Sequence, residues 1–232
     1  RSSVDGAQDH DIILRAVDRM MGEDRRAARR AKLPVAHIPK VLYHWRCYEG
    51  STSENPESKR YAYEAGKRAV EDFLKAREYQ ADVVHTCHLG FFRVNYQPDL
   101  LSNRPDVAVV GGKLIDRHNR VVGGIYNENR EPLYLGLHRE YSGYMHRASC
   151  QQEAYAVDVR CMICSGEAQT VWEELTGLPY AVQPHTGYFL YQDVLKKDAD
   201  YEELSFRFCE ELRRRGKRIV WDPEMVQRVD GR

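Results

Sequence analysis

The stretch DVAVVGGKLID, residues 106–116, is the strongest strand signal in the chain. Its apolar residues run on without the polar alternation of a strand that has one wet face, so it is expected to be buried on both sides. Such a strand needs a layer above and a layer below. Strand-like segments within 83–96, at 121–126, 154–164 and 218–221, and helical ones at 8–21, 55–77, 167–175 and 201–215, can supply them. Strands that alternate with helices indicate an α/β fold with a mixed sheet and flanking helices.

Composition sets the outer bounds. The chain has 232 residues, of which 42% are hydrophobic and 10% aromatic, enough for one large domain or two small ones with a real core. Thirty-five basic residues balance 35 acidic ones, which argues against a general nucleic-acid binder that depends on phosphate neutralisation. Six cysteines scattered over a chain of this size, with no signal peptide, read as reduced thiols of a cytoplasmic protein. No apolar run approaches the roughly 20 residues needed to cross a bilayer. The protein is expected to be cytoplasmic, with peripheral association at the inner face of the membrane as a further option. Arg1 is not an initiator methionine, and the first strong signal reads like the end of a domain, so a fragment or processed chain is expected.

Residues 8–21, QDHDIILRAVDRMM, put Ile12, Ile13, Ala16, Val17, Met20 and Met21 at helical spacing, with Asp9 and Asp11 near the positive end of the helix dipole. The basic run RRAARRAK, 25–32, reads as a solvated face, with a grip on a diphosphate or an anionic membrane as the sharper reading. Lys40–Trp45 is expected to be a strand. Asn55 and Pro56 suit an N-cap and first helical position, opening a long connector helix to about Arg77. In that helix Glu64 with Arg68, and Glu71 with Lys75, stand four apart with the acid first. Gly216 should end the helix that starts at Tyr201, and a last strand, RIVW, is expected to stop before Pro223.

Two parts of the chain resemble glycosyltransferase family 2, the inverting nucleotide-diphospho-sugar enzymes of the GT-A fold. QDHDIILR, HIPKVLYHWR and the segment GSTSENPESKRYAYEAGKRAVEDFL look like the closing part of one catalytic domain and the helix after it. NRPDVAVVGGKLIDRHNRVVGG, DVRCMIC, VWEELTGL and LSFRFCEELRRRGKRIVWDP look like the second half of a further one. The resemblance implies an organisation of 1–53 as the end of a first module, 54–97 as connector helix and strands, and 98–232 as a truncated second module. The fold would be a mixed-sheet GT-A-like remnant. It also implies the function, transfer of a sugar from a nucleotide-sugar donor to a cell-surface polysaccharide acceptor, in the order found in bacterial tandem-module proteins. A partner glycosyltransferase and a divalent metal, manganese or magnesium, are implied for the complete domain.

In that family an acid at the start of the helix is the general base, which takes the proton of the acceptor hydroxyl as it attacks the anomeric carbon. Asp9 matches that position; the plain reading is a helix-start acid. Asp11 is expected to cap or orient and to help bind substrate. Arg46 and His44 match the pair after the helix and are expected to contact donor phosphate or acceptor, Arg46 in bidentate fashion. In the second module Tyr201 stands where the catalytic aspartate is expected, with Asp200 and Glu203 beside it, and Gln227 and Val229 occupy the neighbourhood of the terminal histidine. That copy is expected to be catalytically degenerate. The nucleotide-binding half and a metal-binding Asp-x-Asp at a strand end are missing from both. Asp9/Asp11 and Asp198/Asp200 have the spacing, yet both open helices, so no metal ligand is assigned. The competing reading is a non-catalytic scaffold that holds a glycan or a partner.

Other constellations have plainer explanations. Cys161 and Cys164 on a strand point to opposite faces and read as buried thiols rather than a zinc pair. His85, Cys87 and His88 lack a fourth ligand. Gly111, Gly112, Gly123 and Gly124 fit no phosphate-loop spacing and suggest close backbone approach or bulges. Tyr134, Tyr141, Tyr144 and Tyr155, with His138 and His146, could form a sugar-stacking surface or simply pack a loop.

Overall fold

The computed structural model describes residues 4–21, 36, 38–44, 60–181 and 200–229. The fold is mixed α/β, and the chain divides into two compact units, 1–99 and 100–232.

In the first unit α1 (Gln8–Met21) packs on α2 (Arg60–Ala76), which also meets a hairpin of β1 (Ala81–His85) and β2 (Phe92–Tyr96). Ala65, Gly66, Ala69 and Leu74 form the buried stripe of α2 at helical spacing. A side chain at Gly66 would press on the Phe92 ring at 3.2 Å and on His10 at 3.3 Å. Buried Arg77, just past α2, ion-pairs with Asp18 of α1 and donates to the Asp18 carbonyl at 2.8 Å. The four-apart pairing on α2 differs from expectation. Glu71 pairs with Lys67 at 2.7 Å, and Glu64 also reaches across to His85 Nε2 of β1 at 2.9 Å.

Two expectations in this unit change or fall away. Residues 40–44 form no strand, and Val41, Leu42 and Tyr43 are exposed. An apolar pattern supplies no hydrogen-bond partner by itself, and no strand of the described residues pairs with this segment. The basic run 25–32, Trp45, Arg46 and the proposed cap at Asn55–Pro56 lie outside the described residues.

The second unit is built around β3 (Val107–Ile115), buried at all nine positions as the run predicted. After the short α3 (Leu100–Asn103), β3 lies between β9 (Arg218–Arg228), which runs parallel to it, and two antiparallel partners on its other edge, β4 (Val121–Gly123) and β8 (Met162–Cys164). Beyond β9 comes antiparallel β6 (Gln152–Ala154), and β5 (Ile125–Tyr126) pairs with β7 (Ala156–Val157) in a separate two-stranded ladder. The strand expected over 154–164 is therefore three short pieces.

Two apolar clusters explain why β3 carries no polar alternation. Ala108 and Val109 join Trp172 of α4 (Gly166–Thr176), Phe206 and Phe208 of α5 (Tyr201–Arg214), and Trp221. Val107, Val110 and Leu114 join Cys161, Met225 and Val229 in the other. The last strand does not stop before Pro223. Its register against β3 jumps from Gly111↔Trp221 to Lys113↔Val226, and Pro223, which has no N–H to donate, sits in the bulge.

The same division settles the cysteines. Cys161, in the bend just before β8, belongs to one cluster and Cys164, at the end of β8, to the other, and both are buried and free. Burial pushes the Cys161 and Cys209 thiols up to about 12, so almost none of either is thiolate at neutral pH. Iodoacetamide on the native protein is expected to label exposed Cys87 while Cys161, Cys164 and Cys209 stay unmodified until denaturant is added. Peptide mass mapping reads this directly, and equal labelling of Cys209 and Cys87 in the native state would contradict the buried assignment.

Candidate functional site

Helix α5 begins at Tyr201 because Asp200 caps it, its side chain accepting from the Glu203 backbone N–H at 3.0 Å. The carboxylates of Glu202 and Glu203 follow in the first turn, where the helix dipole favours negative charge. This helix start opens onto a cavity of about 780 Å³ in the second unit, lined by Asp116, Tyr126, Arg130, Arg160, Asp200, Tyr201, Glu202, Glu203 and Phe206 among others. It is within the size range of a small-ligand site.

The cavity wall is held by a buried carboxylate, Asp158. Arg160 forks onto it with Nε–Oδ1 at 2.9 Å and Nη2–Oδ2 at 2.7 Å, and the Arg160 backbone N–H adds a bond at 3.0 Å. The Tyr126 hydroxyl donates to Oδ2 at 3.1 Å. Burial and then the Asp158 charge push the Tyr126 hydroxyl far above the usual tyrosine range, so it serves as a donor. Burial works against the Arg160 charge, and the hydrogen bonds and charge of Asp158 more than offset it, leaving that guanidinium held above the usual value. The guanidinium also lies over the Tyr201 ring at 5.0 Å. One helix turn further in, Ser205 accepts from the Val159 N–H at 3.0 Å and donates to the Tyr201 carbonyl at 2.6 Å, tying α5 to the Asp158 segment.

Arg130 closes the other side. It donates to Glu203 at 3.1 Å and Glu210 at 2.8 Å and lies over Phe206 at 4.7 Å. Both guanidiniums of the cavity are thus taken by protein carboxylates. Counted over the lining, four acids (Asp116, Asp200, Glu202 and Glu203) face two arginines. The cavity therefore offers hydrogen-bond acceptors and aromatic edges to a hydroxyl-rich, uncharged or cationic ligand. It offers a free anion little.

The site residues expected from sequence fall in different places. Asp200 and Glu203 both line this cavity, one as helix cap and the other as the partner of Arg130. Tyr201, in the position where the resemblance expects an aspartate, offers a phenol where that chemistry needs an ionised carboxylate. In the first unit Asp9 is exposed in the first turn of α1, with Oδ1 accepting from the His10 N–H at 2.9 Å. Asp11 is buried and pairs with Arg15 at 2.6 Å, so its carboxylate is committed within its own helix. His44 is exposed, and Arg46 lies outside the described residues. Sequence reasoning missed Asp158, Arg160, Tyr126 and Arg130. The one signal available was an acid and a base two apart in the otherwise apolar 154–164 segment, a spacing that puts both on one side of an extended chain.

Among the described residues no group of three or more His, Cys, Asp or Glu side chains is placed to hold a metal ion. The divalent ion implied for a complete family domain thus has no fitting set of ligands among them. No helix of the described residues is long and apolar enough to cross a membrane.

Comparison with known proteins adds one partial relative. No family model matches the chain, and no solved structure matches it. The "Uncharacterized protein y4gI" of Sinorhizobium fredii (strain NBRC 101917 / NGR234) is 42% identical over 74 residues, which is 32% of this chain. The match spans only 7% of that protein's length, and its printed name carries no activity.

Proposed function

We propose that the chain is part of a family 2-type glycosyltransferase acting on a cell-surface polysaccharide, in which the first unit carries the general base, Asp9, and the second holds glycan without chemistry of its own. The observation that carries the second half of this reading is the cavity at the start of α5. Its arginines are engaged by Asp158, Glu203 and Glu210, and the rest of its lining adds the carboxylates of Asp116, Asp200 and Glu202, which keep lone pairs to accept further hydrogen bonds, and aromatic rings. Such a lining suits sugar hydroxyls, which donate to carboxylates, and sugar C–H faces, which pack on rings; a diphosphate would meet a surplus of negative charge. The first half rests on the resemblance and on one compatible fact, that the Asp9 carboxylate is exposed. As general base it would take the acceptor hydroxyl proton while that oxygen attacks the anomeric carbon and the nucleoside diphosphate leaves with inversion. A nucleotide-sugar and a glycan acceptor are the ligands of this reaction.

The test for Asp9 is turnover of the intact gene product. Asp9→Asn is expected to lower kcat by about 10²–10⁴-fold with little change in KM for the donor, the size of a lost general base. Unchanged turnover removes Asp9 from the mechanism. Isothermal calorimetry of the 232-residue chain tests the second unit separately. Neutral or amino-bearing oligosaccharides should bind more tightly than uridine diphosphate with manganese, and tight, manganese-dependent nucleotide binding would overturn the glycan-holding role.

A further inference from the structure

The two arginines of the cavity are paired, but two others on the same unit are not. Arg139 and Arg147 are exposed and have no carboxylate partner among the described residues. They flank a protruding segment, 139–148, whose ends are drawn together by one buried side chain. Lys113, in the middle of β3, sends its Nζ to the carbonyls of Arg139 at 2.8 Å and Ala148 at 3.3 Å. Burial and the Arg139 charge pull its pKa below the usual lysine value. A compact surface segment with its ends pinned close is an Ω-loop, and such loops are frequently functional.

The loop is also shaped against local preference. Met145 and His146 both lie in the left-handed region, φ 51° and 58°, a conformation that non-glycine residues avoid and that persists where surrounding bonds enforce it. The enforcing bonds are present. The Ala148 N–H reaches the Ser142 carbonyl at 2.8 Å, His146 Nδ1 meets Ser142 Oγ at 3.0 Å, and Ser149 Oγ donates to the His146 carbonyl at 2.9 Å. What the strained turn displays is apolar. Tyr144 is 85% exposed, Met145 59% and Tyr141 59%. A chain that strains two consecutive residues to hold a tyrosine and a methionine in water leaves them poised for another surface.

We infer that this loop is a membrane-interface anchor, in which Tyr144 and Met145 enter the headgroup region of an anionic bilayer while Arg139 and Arg147 pair with lipid phosphates. Charge chooses the occupant. The loop carries two arginines against one acid, Glu140, and the turn bonded to it, where Asn119 accepts from the Arg139 N–H at 2.8 Å, adds exposed Arg117 and Arg120 against one further acid, Asp116. A basic rim around an aromatic and a methionine is the pattern of an interfacial anchor, each basic residue adding attraction to acidic lipid and each apolar side chain adding burial. The chain as a whole is neutral, so the basic face is a local feature. The inference stands apart from the glycosyltransferase reading.

Vesicle flotation of the 232-residue chain decides it. Binding is expected to vesicles of mixed phosphatidylglycerol and phosphatidylcholine, weak binding to phosphatidylcholine alone, and release as salt rises. Tyr144→Ser with Met145→Ser should cut partitioning by about tenfold or more. Arg139→Gln and Arg147→Gln should each cost about fivefold on the mixed vesicles and little on the neutral ones. All four side chains are exposed, so far-ultraviolet circular dichroism and melting should match the parent. Partitioning that is unchanged in Tyr144→Ser/Met145→Ser overturns the inference, since any remaining membrane affinity then lies elsewhere in the chain. So does a parent protein that ignores the mixed vesicles, or one that loses binding to a soluble oligosaccharide rather than to lipid when Tyr144 is replaced.

Discussion

Asp158→Ala is expected to destabilise the second unit by about 3 kcal/mol, at the lower end of the range for breaking a buried ion pair by removing one partner. The carboxylate is fully buried and receives four hydrogen bonds, three from Arg160 and one from Tyr126. Removing it strands a guanidinium whose charge is held in place by that carboxylate, together with a phenol. The Arg160 side chain keeps 26% of its surface in water, which lets it swing outward and sets the estimate at the low end. Asp158→Asn keeps an acceptor but loses the charge, and should fall between parent and Asp158→Ala. The double variant Asp158→Ala/Arg160→Ala should cost less than the sum of the two single changes, because each single change leaves a partner unmatched. Denaturant unfolding followed by tryptophan fluorescence measures this well, since Trp172 and Trp221 both sit in the cluster next to the site. A loss under about 1 kcal/mol for Asp158→Ala would mean that the pair is not the anchor of the cavity wall.

Much of the fold was legible because its signals are local. The continuous apolar run of β3, the ends of α5 at Asp200 and Gly216, and the buried thiols of an apolar segment each follow from a few residues of local sequence. What failed depended on partners far along the chain. The apolar segment after Lys40 met no strand among the described residues. Glu64 meets His85, twenty-one residues on, and β9 passed through Pro223 because β3 accommodated a bulge. The site divides in the same way. Asp200 and Glu203 could be found because they open a helix with a recognisable pattern. Arg130 could not, because it comes from an irregular segment and reaches Glu203 and Glu210 more than seventy residues away. Asp158 was hidden by its own burial, since an acid in an apolar stretch reads as an interruption until its arginine and tyrosine are seen around it.

The paired glycines show how a spacing without a motif becomes a structural constraint. At Gly111 an added Cβ would lie 2.3 Å from that of Val157, and at Gly112 it would lie 2.6 Å from the Met225 carbonyl oxygen. The largest effect is expected at Gly124, where φ is 115° and a Cβ would stand 2.2 Å from the Gly112 carbonyl oxygen. Its other near neighbours, Leu114 N and Lys113 Cα, are also backbone of β3, so nothing flexible can yield. Gly124→Ala should therefore combine backbone strain with overpacking and cost on the order of 3–5 kcal/mol. Gly136→Ala separates the two contributions. Gly136 has φ 77° with nothing within 4 Å, so it should show strain alone, roughly 1–2 kcal/mol. The site should feel the difference as well. The Gly124 carbonyl accepts the Asp158 N–H at 3.3 Å and β5 carries Tyr126 directly after it, so displacing this turn moves both ends of the Tyr126–Asp158 bond. Gly124→Ala is expected to lose oligosaccharide binding under conditions where it remains folded, while Gly136→Ala keeps it. Equal stability losses for the two variants would show that β3 and β5 are not in the close contact that shapes the cavity.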